Sequence, residues 1–70
     1  MKSKKKYRVD DGFNGDKWTF ATIEKLREFG DYYTEICEGD WMPIYRVYDQ
    51  ELGKYRVMTL NEENNFNLPH

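Results

Sequence analysis

The dipeptide Asn14-Gly15 constrains the fold of this chain more than any other feature. A two-residue hairpin turn of type I′ needs positive φ at both central residues, and Asn-Gly meets that need well. A hairpin closed there pairs Phe13 with Asp16, Asp11 with Trp18, Val9 with Phe20 and Tyr7 with Thr22. Tyr7, Val9, Phe13, Trp18 and Phe20 then share one face, and Arg8, Asp10, Lys17 and Thr19 share the other. That separation is independent of the choice of turn, so it supports the pairing. Asp11 is the misfit, a carboxylate on the apolar face that marks a bulge or a frayed end. A competing turn at Asp11-Gly12 pairs Val9 with Asn14 and mixes the faces.

Thr22 suits a helix N-cap, and Glu24 in the following turn suits the helix dipole. Ile23, Leu26 and Phe29 recur at a spacing of three, and Gly30 offers a stop. Residues 31–37 admit two readings. Tyr32, Tyr33, Thr34, Ile36 and Cys37 are mostly β-formers, which predicts a strand. Ile23, Leu26, Gly30, Tyr33 and Cys37 also keep a 3-4-3-4 spacing, which predicts one helix running on to Glu38. Glycine inside a helix costs about 1 kcal/mol, so the expectation favours a helix ending at Gly30 and then a strand.

Gly39-Asp40 reads as a turn, and Pro43 belongs at a strand start or edge because it cannot donate to a ladder. Residues 44–48 and 55–60 form a second hairpin around Gln50-Glu51-Leu52-Gly53. A four-residue loop pairing Asp49 with Lys54 puts Arg46 and Arg56 on opposite faces. A bulge at Gly53 groups Arg46, Tyr48 and Arg56, leaving Tyr45, Val47, Tyr55 and Val57 for the core. The bulged register gives the cleaner amphipathic split. The expected fold is α+β: two hairpins plus a middle strand in a small antiparallel sheet, with one short helix on one face. The domain spans residues 7–60, between a basic arm at 1–6 and a polar tail at 61–70 in which Phe66 and Leu68 could anchor.

A chain of 70 residues makes one domain at most, and buries only about 60% of its unfolded surface. Six Tyr, four Phe and two Trp compensate, since a buried ring removes ~150–250 Å² from water. One cysteine permits no internal disulfide, which fits a reducing, cytoplasmic setting. No apolar run approaches the ~18 residues of a membrane span. No hydrophobic segment follows the basic start, so it does not read as a secretory signal.

Charge is unevenly spread. Residues 1–8 carry five cations and no acid, while residues 9–70 carry six cations and thirteen acids, a formal −7. The preferred functional surface is acidic: Asp31, Glu35, Glu38 and Asp40 lie in a stretch without a cation, beside Tyr32, Tyr33, Trp41 and Met42. Such carboxylates can steer a basic partner or imitate a row of phosphates, and aromatics and Met are enriched at interface centres. The expected partner is a basic, nucleic-acid-binding protein, and the expected role a small regulator or inhibitor of the kind mobile elements and phages encode. The alternative is nucleic-acid binding by Lys4, Lys5, Lys6 and Arg8 of the arm with Arg46, Tyr48 and Arg56 of the second hairpin. A homo-oligomer paired through an edge strand near Pro43 is a third reading.

Chemistry finds little support. The run from Asp10 to Asp16 fails as a calcium loop, because Gly12 and Ala21 stand where carboxylate ligands are required. One Cys and one His exclude a zinc site in practice. Cys37 has only the terminal His70 as a base, and neighbouring acids disfavour its thiolate. No enzyme, cofactor, metal or small-molecule substrate is expected, and no motif is specific enough to name a family.

Overall fold

The computed structural model describes residues 5–69. Four strands and two helices follow in the order β1 (Tyr7–Asp11), β2 (Lys17–Phe20), α1 (Ile23–Ile36), β3 (Pro43–Asp49), β4 (Lys54–Val57) and α2 (Leu60–Asn65). All strands pair antiparallel in one sheet of order β2-β1-β3-β4, and α1 packs on one face, as expected of the α+β class.

The first hairpin closes with its register shifted by two from the one Asn14-Gly15 predicts, around a four-residue loop, residues 12–15. Tyr7 pairs with Phe20 and Val9 with Trp18. The Asp11 N–H donates to the Asp16 carbonyl at 2.8 Å, and the Gly15 N–H to the Asp11 carbonyl at 2.7 Å. Only Gly15 takes a positive φ in this loop, so no type I′ turn forms. The cause is the Asp11 side chain. It accepts from the Phe13 N–H at 2.9 Å and Asn14 Nδ2 at 3.1 Å, an Asx turn that opens the loop at Asp11. A slip of two preserves the faces, so the expected alternation survives for Tyr7, Val9, Trp18 and Phe20, whereas Phe13 falls in the loop and is exposed. Asp11 is neither a bulge nor a frayed end.

Asp49 builds the second loop the same way. Its carboxylate accepts from the Glu51 and Leu52 N–H groups at 2.9 and 3.2 Å, and its carbonyl accepts from the Gly53 N–H at 2.8 Å. Asp49 therefore pairs with Lys54 across a four-residue loop, and the bulged register is not adopted. Tyr45 and Val47 enter the core, whereas Tyr55 and Val57 face the other way.

Helix α1 runs unbroken through Gly30, and no strand forms over 31–37. Thr22 caps it, accepting from the Lys25 N–H at 3.3 Å. Gly30 is a notch rather than a stop. A Cβ there would lie 3.0 Å from Pro69 Cγ and 3.3 Å from the Tyr45 hydroxyl. The absent side chain lets residues 68–69 lie against the helix, with the Tyr45 hydroxyl donating to the Pro69 carbonyl at 2.6 Å. That contact offsets the propensity cost. The helix ends at Cys37, where Glu38 and Gly39 turn left-handed.

The chain beyond Thr59 is not a polar tail. Thr59 and Glu62 form a reciprocal capping box that starts α2, and Phe66 packs edge-on against Tyr7. Leu68 joins the core with Val9, Leu26, Trp41, Tyr45, Val47 and Met58. Beneath α1 the rings of Phe20, Phe29, Trp18, Tyr33 and Trp41 pair in sequence with centroids 4.6–5.4 Å apart. The arm is shorter than residues 1–6, because the Tyr48 N–H donates to the Lys6 carbonyl at 2.7 Å and the Tyr55 hydroxyl to the Lys5 carbonyl at 2.5 Å. Pro43 opens β3, which pairs with β1 from Pro43 to Val47 but with β4 only from Arg46 to Asp49, so its first residues extend past β4 on that side.

Candidate functional site

Because α1 is continuous, its charges line up. At 100° per residue, Glu24, Glu28, Asp31 and Glu35 recur at spacings of four, three and four, and so share one outward stripe. All four are exposed, opposite buried Leu26 and Gly30. Lys25 and Arg27 flank the first half of the stripe. In the second half Arg27 lies one turn before Asp31, but residues 31–40 themselves hold no cation, and exposed Glu38 and Asp40 continue the run of acids past the helix end. Tyr32 (60% exposed) and Ile36 (54%) border the acids, and Met42 lies exposed at the start of β3.

Two of the aromatics expected on this surface are elsewhere. Trp41 is buried and donates its indole N–H to Thr34 Oγ1 at 2.9 Å. Tyr33 stacks on Phe29 beneath the helix, with its hydroxyl 3.4 Å from the Asp11 carboxylate. Both face inward, so Tyr32, Ile36 and Met42 supply the apolar part of the surface. Glu24, Glu28 and Ile36 were absent from the sequence-level surface. Their signal was the 4-3-4 recurrence of acids, which acquires meaning only when the helix continues past Gly30.

This half of the stripe works against helix stability. Asp31 and Glu35 repel at i,i+4, worth about 0.2–0.5 kcal/mol. Glu35 also sits near the negative end of the helix dipole, and no cation occupies the last turn to oppose it.

The opposite side of the molecule carries the other sign. Strand alternation places Arg8, Asp10, Lys17, Thr19, Ile44, Arg46, Tyr48, Tyr55 and Val57 on the sheet face away from α1. Helix α2 also lies on the α1 side, since it contacts Tyr7 and Arg56. No described element covers the second face. Arg8 and Arg46 are direct cross-strand neighbours. Asp10 lies between them, taking Arg8 Nε at 2.7 Å, Arg8 Nη2 at 3.0 Å and Arg46 Nε at 3.2 Å. Burial pulls the Asp10 carboxyl up, but bonds and charge from the two arginines outweigh it and hold its pKa low. The Arg8 guanidinium sits 5.5 Å over the Tyr55 ring, whose edge-on neighbour is Tyr48 at 5.4 Å.

Arg56 does not join them. The four-residue loop turns it to the α1 side, where its Nη groups meet the Glu62 carboxylate at 2.9 and 2.8 Å and its Nε approaches Asp49 at 3.5 Å. It ties β4 to α2 along an open groove of about 700 Å³. The hydrogen bond from Arg56, with those from Thr59, draws the Glu62 carboxyl down to about 2. Of the remaining nucleic-acid candidates, Lys5 and Lys6 are exposed and Lys4 lies outside the described residues, as does His70.

Cys37 is half-buried at the end of α1 against the core. Among the described residues no group of three or more His, Cys, Asp or Glu comes together to hold a metal, and no helix is long and apolar enough to cross a membrane. Comparison with known proteins finds no matching family model, no matching curated protein and no matching solved structure.

Proposed function

We propose that this chain is a small non-enzymatic interaction module that docks the outer face of α1 on a basic, nucleic-acid-binding protein. The observation that carries the proposal is the acidic second half of the stripe, Asp31 and Glu35 with Glu38 and Asp40 in a stretch of sequence without a cation, bordered by exposed Tyr32 and Ile36. Carboxylates fixed on one rigid helix face steer a basic partner at long range, and the flanking Tyr and Ile supply apolar area once it arrives. Residues that oppose the stability of their own helix yet sit together on its surface fit a binding role better than a structural one. The action is occlusion: the module covers the partner's basic surface and transforms nothing. A regulator or inhibitor of phage or mobile-element type, working in the cytoplasm, is the biological setting this reading fits.

The test is capture from nuclease-treated lysate at low salt, comparing the wild-type chain with an Asp31→Lys, Glu35→Lys double variant whose fold is checked by circular dichroism. The proposal expects a basic protein retained by wild type, released as salt rises, and lost in the variant. Equal retention by the folded variant contradicts it.

A further inference from the structure

We infer that the uncovered face of the sheet binds single-stranded nucleic acid, with a phosphate seated at Arg8 and Arg46. The inference is independent of the α1 surface and concerns the opposite side of the molecule.

Three observations converge. First, Arg8 and Arg46 stand directly across from each other on β1 and β3. Like charges so placed destabilise a sheet. Asp10 offsets this by gripping both Nε groups and Arg8 Nη2. One carboxylate against two guanidinium groups leaves the cluster at +1. These bonds leave Arg8 Nη1 and both Nη groups of Arg46 with no hydrogen-bond partner among the described residues. The guanidinium groups are therefore anchored through one side and present donors on the other, which is how arginine grips a phosphate.

Second, the surroundings share the sign. Lys17 lies across from Asp10 on β2. The bond from the Tyr55 hydroxyl to the Lys5 carbonyl brings Lys5 to the margin of the same face, whereas Lys6 Nζ lies 5.7 Å from the Tyr7 ring on the α1 side. Asp10 is the one acid on the face. Glu24, Glu28, Asp31 and Glu35 of α1 project from the other side of the molecule, away from a polyanion bound here.

Third, Tyr48 and Tyr55 form an aromatic pair beside the arginines. Cations interleaved with aromatics on an open sheet suit bases that are already unstacked. The combination selects a single strand over a double one.

The test uses the full chain and fluorescein-labelled dT15 and rU15, read by anisotropy across a salt series from low to physiological. The inference expects saturable binding that weakens with salt. Arg46→Gln should weaken it tenfold or more and lower the salt slope by about one. Tyr55→Leu should weaken it at least fivefold, because it removes an aromatic surface beside the bound strand and the ring under the Arg8 guanidinium. Lys17→Gln, on the exposed strand β2, serves the same purpose as Arg46→Gln should the latter fail to fold. Glu28→Gln on α1 should leave affinity within twofold. Absence of binding at low salt overturns the inference. So does equal or tighter binding of a 15-base-pair duplex. Loss of binding on deletion of residues 1–4, with Arg46→Gln and Lys17→Gln both silent, would assign the affinity to the arm and overturn it as well.

Discussion

Asp11 and Asp49 close their hairpins with the same loop chemistry but in different surroundings, and that contrast gives a sharp prediction. Asp11 is 1% exposed. Its carboxylate receives strong bonds from the Phe13 N–H and Asn14 Nδ2 and longer ones from the Tyr33 hydroxyl and the Met42 N–H. Burial opposes its charge, but the bonds from Phe13, Met42 and Asn14 prevail and its pKa is lowered. A hydrogen bond to a charged group contributes about 1.5–3 kcal/mol, so removing the two strong bonds in Asp11→Ala should cost roughly 3 kcal/mol. A 70-residue domain has only about 4–10 kcal/mol in total at the usual stability per residue. Asp49 makes two comparable bonds, yet water can reach the N–H groups it would leave behind. Asp49→Ala should therefore cost about 1 kcal/mol. The gap of about 2 kcal/mol corresponds to roughly 8–16 °C in Tm for a domain of this size. Urea denaturation followed by the fluorescence of Trp18 and Trp41 measures both. Equal losses in the two variants, or a loss under about 1 kcal/mol for Asp11→Ala, would refute the claim that burial makes Asp11 the keystone of this end of the sheet.

Glu35→Lys replaces a repulsive i,i+4 pair with an attractive one and puts a cation near the helix C-terminus; it should stabilise the chain by about 1 kcal/mol while weakening partner capture, as thermal unfolding and pull-down would record. Leu68→Ala should cost about 2–3 kcal/mol in chemical denaturation, since Leu68 is a core residue rather than part of a loose tail. Glu62 ordinarily titrates near 4.5 and here near 2, so the folded state releases its proton more readily than the unfolded state. Its contribution is complete above about pH 4.5 and drains between there and about pH 2. Glu62→Gln should flatten that acid limb of the stability curve relative to wild type.

The sequence carried the alternation of β1 and β2, the Thr22 cap and the α+β class, because each rests on local chemistry. It misplaced the first turn because Asn14-Gly15 competes with Asp11, whose carboxylate organises the loop only when buried under Tyr33 and Met42. It ended α1 at Gly30 because the compensation for that glycine comes from Pro69 and Tyr45, far away in the chain. The acidic stripe was half visible for the same reason: Asp31 and Glu35 stood out, but Glu24 and Glu28 join them only on a continuous helix. Arg46 and Arg56 separate because one loop residue decides the face of every residue after it. The capping box was legible all along, in Thr59 followed three residues later by Glu62.

The central claim is that charge divides this small molecule into two faces with different partners. Two folded variants measured in two assays test it most directly: Asp31→Lys with Glu35→Lys on the helix, and Arg46→Gln on the sheet, each tried for capture of a basic protein and for binding of labelled dT15. The account predicts a crossed result, in which the helix variant loses the protein but keeps the oligonucleotide, and the sheet variant does the reverse. Both variants losing the same activity, or neither losing any, would contradict it.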